Sequence, residues 1–277
     1  MSSAVAAALA AEVFGRAVAT RPIDSGGDHH SWWIGDHHVL RWAPDRTTSR
    51  RLDREIVLRR WLRRHLRSPV PDAVTDGTWH GRRWVLDERL AGQGLEEGPI
   101  HDRTCADLVE LLADLRRCPI EEMAAIGLPR LSTPDLHELA EEGLAAHRAL
   151  GIARHLTPPC DVGVVAREEL GQVVLVHADL KGEHLLIDDT GHLTGVLDWS
   201  DAGTGDASLD VEGLVVAIGA SNAAQVAARA SVPADVIERG IFLARCRTAL
   251  RLDALVNRGE PSGPERLLRH QHDLAWN

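Results

Sequence analysis

The spacing of apolar residues divides the chain into a strand-rich first part and a helix-rich second part. Short apolar runs bounded by turn residues predict strands, and a Gly-Asp pair at residues 35–36 predicts a hairpin turn. Apolar residues three and four positions apart predict amphipathic helices. The predicted strands are 32–34, 39–42, 73–75, 77–79 and 83–86, and the predicted helices are 3–18, 48–66, one from Thr104, 133–150, 207–219, 222–230, 233–256 and 264–275. We therefore expect an α+β fold.

One stretch of the second half has a different pattern, because short apolar runs alternate there with polar loops. Residues 173–176 and 195–197 are such runs, and an aspartate follows each of them, Asp179 and Asp198. Strands that end in this way deliver polar side chains to a site. Two further aspartates, Asp206 and Asp210, close the stretch, and we expect the functional site of the protein here.

The motifs of this stretch resemble those of a known family. His177-Ala178-Asp179-Leu180 matches the H-x-D-L motif of the aminoglycoside phosphotransferase family, the antibiotic kinases that share the protein-kinase fold. The second part of the stretch is similar to that family's G-V-I-D-W-x-x-A-x-x-G-D-P-x-x-D segment. The matching residues are Gly195, Val196, Asp198, Trp199, Ala202, Gly205, Asp206 and Asp210, with Leu197 in place of isoleucine and Ala207 in place of proline.

The resemblance implies a two-lobed, protein-kinase-like fold. We expect a small N-lobe over residues 1–92, with an antiparallel sheet and one long helix that carries Glu55. A larger and mostly helical C-lobe is expected over residues 93–277. The C-lobe would hold the catalytic loop, the metal-binding loop and an acidic substrate cleft.

The resemblance also assigns roles to three residues of the stretch. Transfer of a γ-phosphate to a hydroxyl needs a proton acceptor, here Asp179, and Mg²⁺ held by a second carboxylate, here Asp198. His184 stands where the family has a metal-ligand asparagine. Because imidazole is a softer ligand than the oxygen that Mg²⁺ prefers, His184 is expected to bind the metal directly, to act through water, or to hydrogen-bond Asp179.

Two more residues of the H-x-D-L loop are candidates for the catalytic site. Lys181 is the one lysine of the chain, and it stands where a protein kinase has a lysine that meets the transferring phosphate. His177 is expected to brace the loop through hydrogen bonds to the backbone or to Asp198.

The acidic residues that follow Asp198 have other expected roles. Asp201 lies nearer the cleft, so it is a candidate contact for a cationic substrate, together with Asp179. Asp206 and Asp210 are expected to hold the loop and the beginning of the next helix.

The predicted nucleotide site draws on the N-lobe. A polar turn with Ser25, Gly26 and Gly27 replaces the glycine-rich loop of kinases, and its N–H groups could meet phosphate oxygens. Arg41 stands in place of the phosphate-binding lysine, with Glu55 as its expected partner. Backbone groups of the passage between the lobes are expected to contact adenine, within the bracket Asp87, Glu88, Arg89 and Leu90.

The distribution of charge bears on the partners of the protein. The first 95 residues carry 15 arginines against 11 acidic residues, whereas the rest carry 16 basic against 30 acidic residues, and the net charge of the chain is −10. An acidic second half disfavours a nucleic-acid partner and suits a small cationic substrate, although a merely acidic soluble surface would look the same.

Other features bear on class and location. No apolar run is long enough to span a membrane, and the Ala-rich N-terminus contains Glu12 and lacks a basic region, so we expect neither a membrane protein nor a signal peptide. The four cysteines are scattered, which favours reduced thiols in the cytoplasm. Two histidine doublets, at residues 29–30 and 37–38, are poorly spaced for zinc. A monomer or weak dimer is expected.

The sequence therefore predicts an Mg²⁺-dependent kinase that moves the γ-phosphate of ATP or GTP to a hydroxyl of a cationic antibiotic. The string at residues 179–186 most resembles viomycin and capreomycin phosphotransferases, which favours a tuberactinomycin cyclic peptide over an aminoglycoside as the acceptor. Three alternatives stay open: a metabolic kinase for a sugar, choline or homoserine, a macrolide kinase, and a nucleotide-binding pseudokinase. Arg41 and His184 are the departures that favour the last of these.

Overall fold

The computed structural model describes residues 1–23, 29–97, 99–158, 172–260 and 263–277, apart from the side chain of Glu97. Its first part is an antiparallel sheet in the order β1-β2-β3-β5-β4 with a helix against each face. These elements are α1 (Ser3–Phe14), β1 (Thr20–Ile23), β2 (His30–Ile34), β3 (His38–Trp42), α2 (Arg46–Leu62), β4 (Ala73–Trp79) and β5 (Arg82–Glu88).

Alternation along β3 and β5 sorts their side chains between the two helices. Leu40 pairs with Leu86 across the strands, and both pack against α1. The neighbouring residues Arg41 and Val85 form the next pair, and Val85 packs in the cluster of α2. Asp87 lies two residues beyond Val85, so its side chain is on the α2 face as well. The pattern therefore sends Arg41 and Asp87 to the helix that carries Glu55.

The second part of the chain is mainly helical and holds the largest apolar core. Buried side chains of α3, α6, α7 and α8 pack together around Trp199 and the short strands. The elements are β6 (Gln93–Gly94), α3 (Asp102–Arg117), α4 (Ile120–Ile126), α5 (Leu136–Ala149), β7 (Val174–Val176), β8 (Leu185–Ile187), β9 (Leu193–Val196), β10 (Gly203–Gly205), α6 (Ser208–Ile218), α7 (Ala220–Arg229), α8 (Ala234–Arg258) and α9 (Glu265–Leu274).

Two small sheets in the second part carry the polar loops that the sequence singled out. β7 pairs with β10, and β6, β8 and β9 form a three-stranded sheet. Gln93 pairs with Ile187, so the chain joins this second sheet five residues after β5 ends. The loop of Asp179 follows β7, and the loop of Asp198 follows β9.

The described fold confirms the predicted α+β class, with an antiparallel sheet first and helices afterwards, and most predicted elements are present. β1, β6, β10 and α4 were not predicted. Proline cannot donate a backbone hydrogen bond, so Pro22 argues against a strand in the middle of a sheet. β1 lies at the edge of the sheet, where one side of the strand has no partner strand among the described residues, and the proline is tolerated there. The helix expected from Thr104 begins at Asp102, because the Thr104 hydroxyl donates to the carbonyl of Gly191 instead of capping the helix. No helix of the described ranges is long and apolar enough to cross a membrane.

Helix α6 packs so closely on the Asp179 loop that only glycine fits at the contact. A Cβ atom on Gly213 would lie 2.7 Å from the backbone nitrogen of Leu180 and 3.0 Å from its Cα atom. Backbone atoms cannot move aside as a flexible side chain can. The position of the loop therefore depends on the absence of a side chain at residue 213.

We expect Gly213→Ala to destabilise the protein by about 1–3 kcal/mol, although the same change in an open helix is stabilising by about 1 kcal/mol. Urea unfolding measures the difference. Gly94→Ala is the matched control, since its Cβ would have its nearest neighbour at 3.6 Å, an ordinary contact. A Gly213→Ala protein as stable as wild type would contradict the close approach of α6 and the loop.

Candidate active site

The loop that carries Asp179 is held by a buried carboxylate at the beginning of α6. Asp210 accepts hydrogen bonds from the backbone N–H groups of Ala178 at 2.8 Å and His177 at 3.2 Å. Ala178 has a φ of 64°, a left-handed conformation that costs an L-residue about 1–2 kcal/mol. Burial raises the pKa of Asp210 to about 7, while the two N–H donors act in the opposite direction. Asp210 therefore holds the loop in a conformation that it would not adopt alone.

His177 is fully buried, and its hydrogen bonds define one neutral tautomer. The N–H of Asp179 donates to Nδ1 at 3.2 Å, so the ring proton lies on Nε2, which donates to the carbonyl of Leu197 at 2.8 Å. Burial, followed by the neighbouring His184, lowers the pKa of His177 to about 4. The ring therefore joins the Asp179 loop to the residue just before Asp198.

Lys181 lies between two carboxylates. Its Nζ atom is 3.1 Å from Oδ2 of Asp179 and 3.1 Å from Oε1 of Glu183. Burial favours the neutral amine, but the two carboxylates outweigh burial and raise the pKa of Lys181, so the ammonium stays charged. The side chain of Asp179 is 25% exposed, which leaves its carboxylate open to a substrate.

His184 stands between Asp179 and Asp198. Its Nδ1 donates to the backbone carbonyl of Asp179 at 2.8 Å and is 3.4 Å from that residue's Oδ2. Its Nε2 is therefore unprotonated in the neutral ring and lies 3.7 Å from Oδ2 of Asp198. The two aspartates accordingly approach opposite sides of one imidazole ring.

Asp198 has a backbone in the left-handed region, with φ 55° and ψ 71°. Burial acts to raise the pKa of Asp198, but the positive charge that His184 carries when its ring is protonated, and then that of Arg41, act against it, and the net effect holds the pKa below its usual range. The carboxylate is therefore charged at neutral pH, and it is 38% exposed.

The donors at Asp198 and His184 fit a magnesium ion that a substrate helps to hold. Mg²⁺ usually takes one or two protein carboxylates and fills its remaining positions with water and phosphate oxygens. Histidines that bind metals usually donate their other N–H to a carbonyl, as His184 does. Within the described ranges, no group of three or more His, Cys, Asp or Glu side chains could hold an ion by itself.

Arg41 belongs to a buried network of four charged residues. Its guanidinium binds both oxygens of Glu55, at 2.8 and 3.1 Å, and its Nε atom is 3.0 Å from Oδ2 of Asp87. Arg59, one turn after Glu55 on α2, binds the other oxygen of Asp87 at 2.8 Å. Buried charges are costly unless they are paired, and here two arginines face two carboxylates. The network joins α2 to β3 and β5.

The passage between β5 and β6 has few free backbone donors. The N–H of Glu88 donates to the carbonyl of Asp72 at 2.9 Å, and the N–H of Arg89 donates to that of His37 at 2.8 Å. The Arg89 guanidinium lies 4.4 Å above the ring of Trp33. The side chain of Asp87 points into the buried network.

Asp201 and Asp206 both bind arginines. Asp201 is half exposed and pairs with Arg51 of α2, which also approaches the Ser200 hydroxyl at 3.3 Å. Asp206 is buried and pairs with Arg239 of α8 at 3.1 Å, and it accepts a bond from the N–H of Ser208 at 2.9 Å. Ser25, Gly26 and Gly27 lie outside the described residues.

A small cavity beside Asp179, about 80 Å³ in volume, was not predicted from the sequence. Glu212 of α6 and two arginines of α8 contribute to its wall, and in the sequence α8 stands out only for a run of basic residues. Glu212 could have been recognised as a site residue from the sequence. It lies two positions after Asp210, which was already expected to hold the Asp179 loop. The lining consists of Ala178, Asp179, Lys181, Leu209, Glu212, Gly213, Val216, Arg247, Thr248 and Arg251.

The chain is similar to a family of known phosphotransferases. The model of the phosphotransferase enzyme family matches residues 19–241, which is most of the chain. Viomycin phosphotransferase of Streptomyces vinaceus is 28% identical over 217 residues, which cover 70% of this chain and 71% of that protein.

Solved structures confirm the two-lobed kinase-like fold. The GDP complex of an aminoglycoside 2′-phosphotransferase-IIIa variant aligns with a TM-score of 0.77 at 18% identity, over 99% of this chain and 96% of that one. A macrolide 2′-phosphotransferase of Brachybacterium faecium aligns with a TM-score of 0.64 at 20% identity, over 97% of both chains.

The buried neutral His177 makes stability depend on pH. The pKa of His177 is about 4 in the folded protein against 6.5 in the unfolded chain. The unfolded chain therefore takes up this proton first, so the stability from His177 is complete above pH 6.5 and is lost as the pH falls towards 4. We expect the loss to reach roughly 2 kcal/mol at pH 5.

Urea unfolding of wild type and His177→Gln at pH 7 and pH 5 measures this contribution. The variant is less stable at pH 7 because it lacks the fitted ring, and it should lose less stability than wild type between the two pH values. Equal losses in both proteins would show that the ring is not held neutral.

Proposed function

The chain belongs to the phosphotransferase enzyme family, and from this premise we propose that it moves the γ-phosphate of ATP or GTP to a hydroxyl group of an antibiotic. The observation that carries the proposal is the approach of Asp179 and Asp198 to opposite sides of the His184 ring. A proton acceptor and a metal-binding carboxylate are thereby close enough to act on one triphosphate.

The acceptor that we favour is a tuberactinomycin cyclic peptide, viomycin or capreomycin, with an aminoglycoside as the second choice. The similarity to viomycin phosphotransferase over 70% of the chain supports this preference. A macrolide is a weaker candidate, because the cavity beside Asp179 is small and lined by charged side chains, whereas a macrolide would need a larger apolar pocket.

In the proposed mechanism, Asp179 receives the proton of the acceptor hydroxyl as the acceptor oxygen attacks the γ-phosphorus. The new oxygen–phosphorus bond forms as the bond to the β-phosphate oxygen breaks, and the nucleoside diphosphate leaves. Lys181 stays protonated, orients the Asp179 carboxylate and offers its charge to the transferring phosphate. Asp198 and His184 would hold Mg²⁺, which when bound would neutralise charge on the phosphates.

The N-lobe residues hold the nucleotide in this proposal. Arg41 is oriented by Glu55 and Asp87, and three of its five N–H groups bond to these carboxylates, so two remain for phosphate oxygens. The backbone groups of the bracket Asp87, Glu88, Arg89 and Leu90 remain our candidates for contacting the base. The turn of Ser25, Gly26 and Gly27 remains our candidate for covering the phosphates, and Asp201 remains a candidate contact for the substrate.

A pseudokinase is the second candidate, and one observation favours it. Arg41 replaces a lysine, and two carboxylates already engage it, so its reach towards a phosphate is shorter than that of a free lysine. In either case we propose that the protein acts in the cytoplasm as a monomer or weak dimer. The free thiols of Cys105, Cys118 and Cys246 are in keeping with a reducing compartment.

The first test measures Mg²⁺-dependent conversion of ATP and GTP with viomycin, capreomycin, kanamycin, erythromycin, choline and homoserine as acceptors. We expect turnover with viomycin or capreomycin and a phosphorylated antibiotic in the mass spectrum. Nucleotide binding without turnover of any acceptor would favour the pseudokinase, and turnover of choline or homoserine alone would favour a metabolic kinase.

The second test separates the two aspartates. Asp179→Ala should lower kcat by at least about 100-fold, because it removes the proton acceptor, while the Kd of the nucleotide stays nearly unchanged. Asp198→Ala should lower kcat and also abolish the Mg²⁺ dependence of nucleotide binding, measured by calorimetry with and without Mg²⁺. Near-normal turnover by Asp179→Ala would contradict its assignment.

A further inference from the structure

The net charge of the second half of the chain suggested an acidic cleft. The wall of the cavity beside Asp179 has more basic than acidic side chains. Three of its lining side chains are basic, Lys181, Arg247 and Arg251, and two are acidic, Asp179 and Glu212. If the proposed function is correct, an acceptor hydroxyl that reaches Asp179 has to enter beside these groups. The wall of this cavity therefore bears on which acceptor the site takes.

Two of the three cations are already neutralised within the site. Lys181 lies between Asp179 and Glu183, at 3.1 Å from each. Arg247 pairs with Glu212 at 2.6 Å, on the side of α6 that faces the cavity. One cation paired with one anion adds no excess negative charge to the wall, and burial, which raises the pKa of Glu212 to about 7 against the effect of Arg247, acts in the same direction.

Arg251 differs from these two cations in its partner. It lies one turn after Arg247 on α8, and its described hydrogen bond is a long one, 3.5 Å from Nη1 to the neutral Oε1 of Gln271. Glu212 is close enough to interact with it but is bonded to Arg247. Lys181 and Arg247 are each hydrogen-bonded to a carboxylate, whereas the described hydrogen bond of Arg251 is to a neutral amide. Among the described residues that line the cavity, Arg251 is therefore the cation whose charge is least compensated.

The chemistry of the guanidinium indicates what such a wall binds. Its planar set of N–H donors matches a carboxylate or an amide carbonyl, and it repels an ammonium group. The apolar side chains of Leu209 and Val216 line the same cavity and reduce competition from water.

We propose that Arg251, with Arg247 beside it, binds a carbonyl or carboxylate oxygen of the acceptor and so orients the acceptor's hydroxyl towards Asp179. This inference rests on the proposed function. The preferred acceptor class is a molecule that bears amide or carboxylate oxygens close to the reacting hydroxyl, as a peptide does. A sugar whose neighbouring substituents are all ammonium groups fits this wall poorly. Arg251 is a specificity-determining residue for the acceptor and leaves the nucleotide site unchanged.

The test compares wild type, Arg251→Gln, Arg251→Lys and Arg258→Gln with viomycin and with kanamycin as acceptors. Arg258 lies on the same helix two turns later, carries the same charge and pairs with Asp253 and Glu260 away from the cavity, so it is the matched control. Arg251→Gln should raise the KM for viomycin roughly 10- to 100-fold, the value of one charged hydrogen bond. The KM for the nucleotide should not change.

Two further results are expected. Arg251→Lys keeps the charge but loses the planar pair of donors, so its KM for viomycin should lie between those of wild type and Arg251→Gln. The KM for kanamycin, where it is accepted at all, should stay equal or fall in Arg251→Gln because a repulsive charge is removed. Circular dichroism and melting temperature confirm that each variant is folded.

The outcomes separate this inference from the proposed function. Turnover of any antibiotic by wild type supports the proposed function, whatever the variants do. An unchanged KM for viomycin in Arg251→Gln, or an equal rise in Arg258→Gln, overturns the inference alone. If wild type turns over no acceptor, calorimetric binding of viomycin decides: weaker binding by Arg251→Gln supports the inference, and equal binding or none overturns it.

Discussion

The site depends on one buried carboxylate at the beginning of α6. Asp210 accepts the N–H groups of His177 and Ala178 and thereby stabilises the left-handed backbone that turns the chain towards Asp179. His177 then passes the constraint on, because its ring joins this loop to the carbonyl before Asp198. Two buried side chains, those of Asp210 and His177, therefore position the more exposed carboxylates of Asp179 and Asp198. A buried carboxylate of this kind has a definite geometry because each of its two oxygens accepts one assigned N–H donor.

In the N-lobe, the side chains of the predicted nucleotide site are positioned by ion pairs between a helix and two strands. Arg41 and Asp87 reach the α2 face because alternate residues of a strand point to opposite sides, and Glu55 and Arg59 meet them from α2. Two cations and two anions at short distances balance each other's charge in this buried network. Arg41, which stands where a kinase has lysine, is therefore one part of a network that engages Asp87 as well as Glu55.

Most of the architecture could be predicted from the sequence, because apolar periodicity and turn residues are local signals. The motifs around Asp179 and Asp198 predicted the fold and the family, both confirmed, and the structure brings these two residues to either side of His184. Local signals did not identify Arg59, Glu183, Glu212 or Arg251, because each matters through a partner distant in sequence or through a cavity that only packing creates. The edge strand at Thr20–Ile23 was missed because its tolerance of proline depends on its place in the sheet.

The solitary lysine of the chain has a consequence for chemical labelling. An amine-directed reagent finds one ε-amino group among the side chains, and that group borders the proposed acceptor cavity. Its reactivity is suppressed, because acylation needs the free amine and the flanking carboxylates favour the ammonium form. Occupation or disturbance of this neighbourhood would alter how fast the label is incorporated. Among its side chains, the protein thus contains one intrinsic position for such a label.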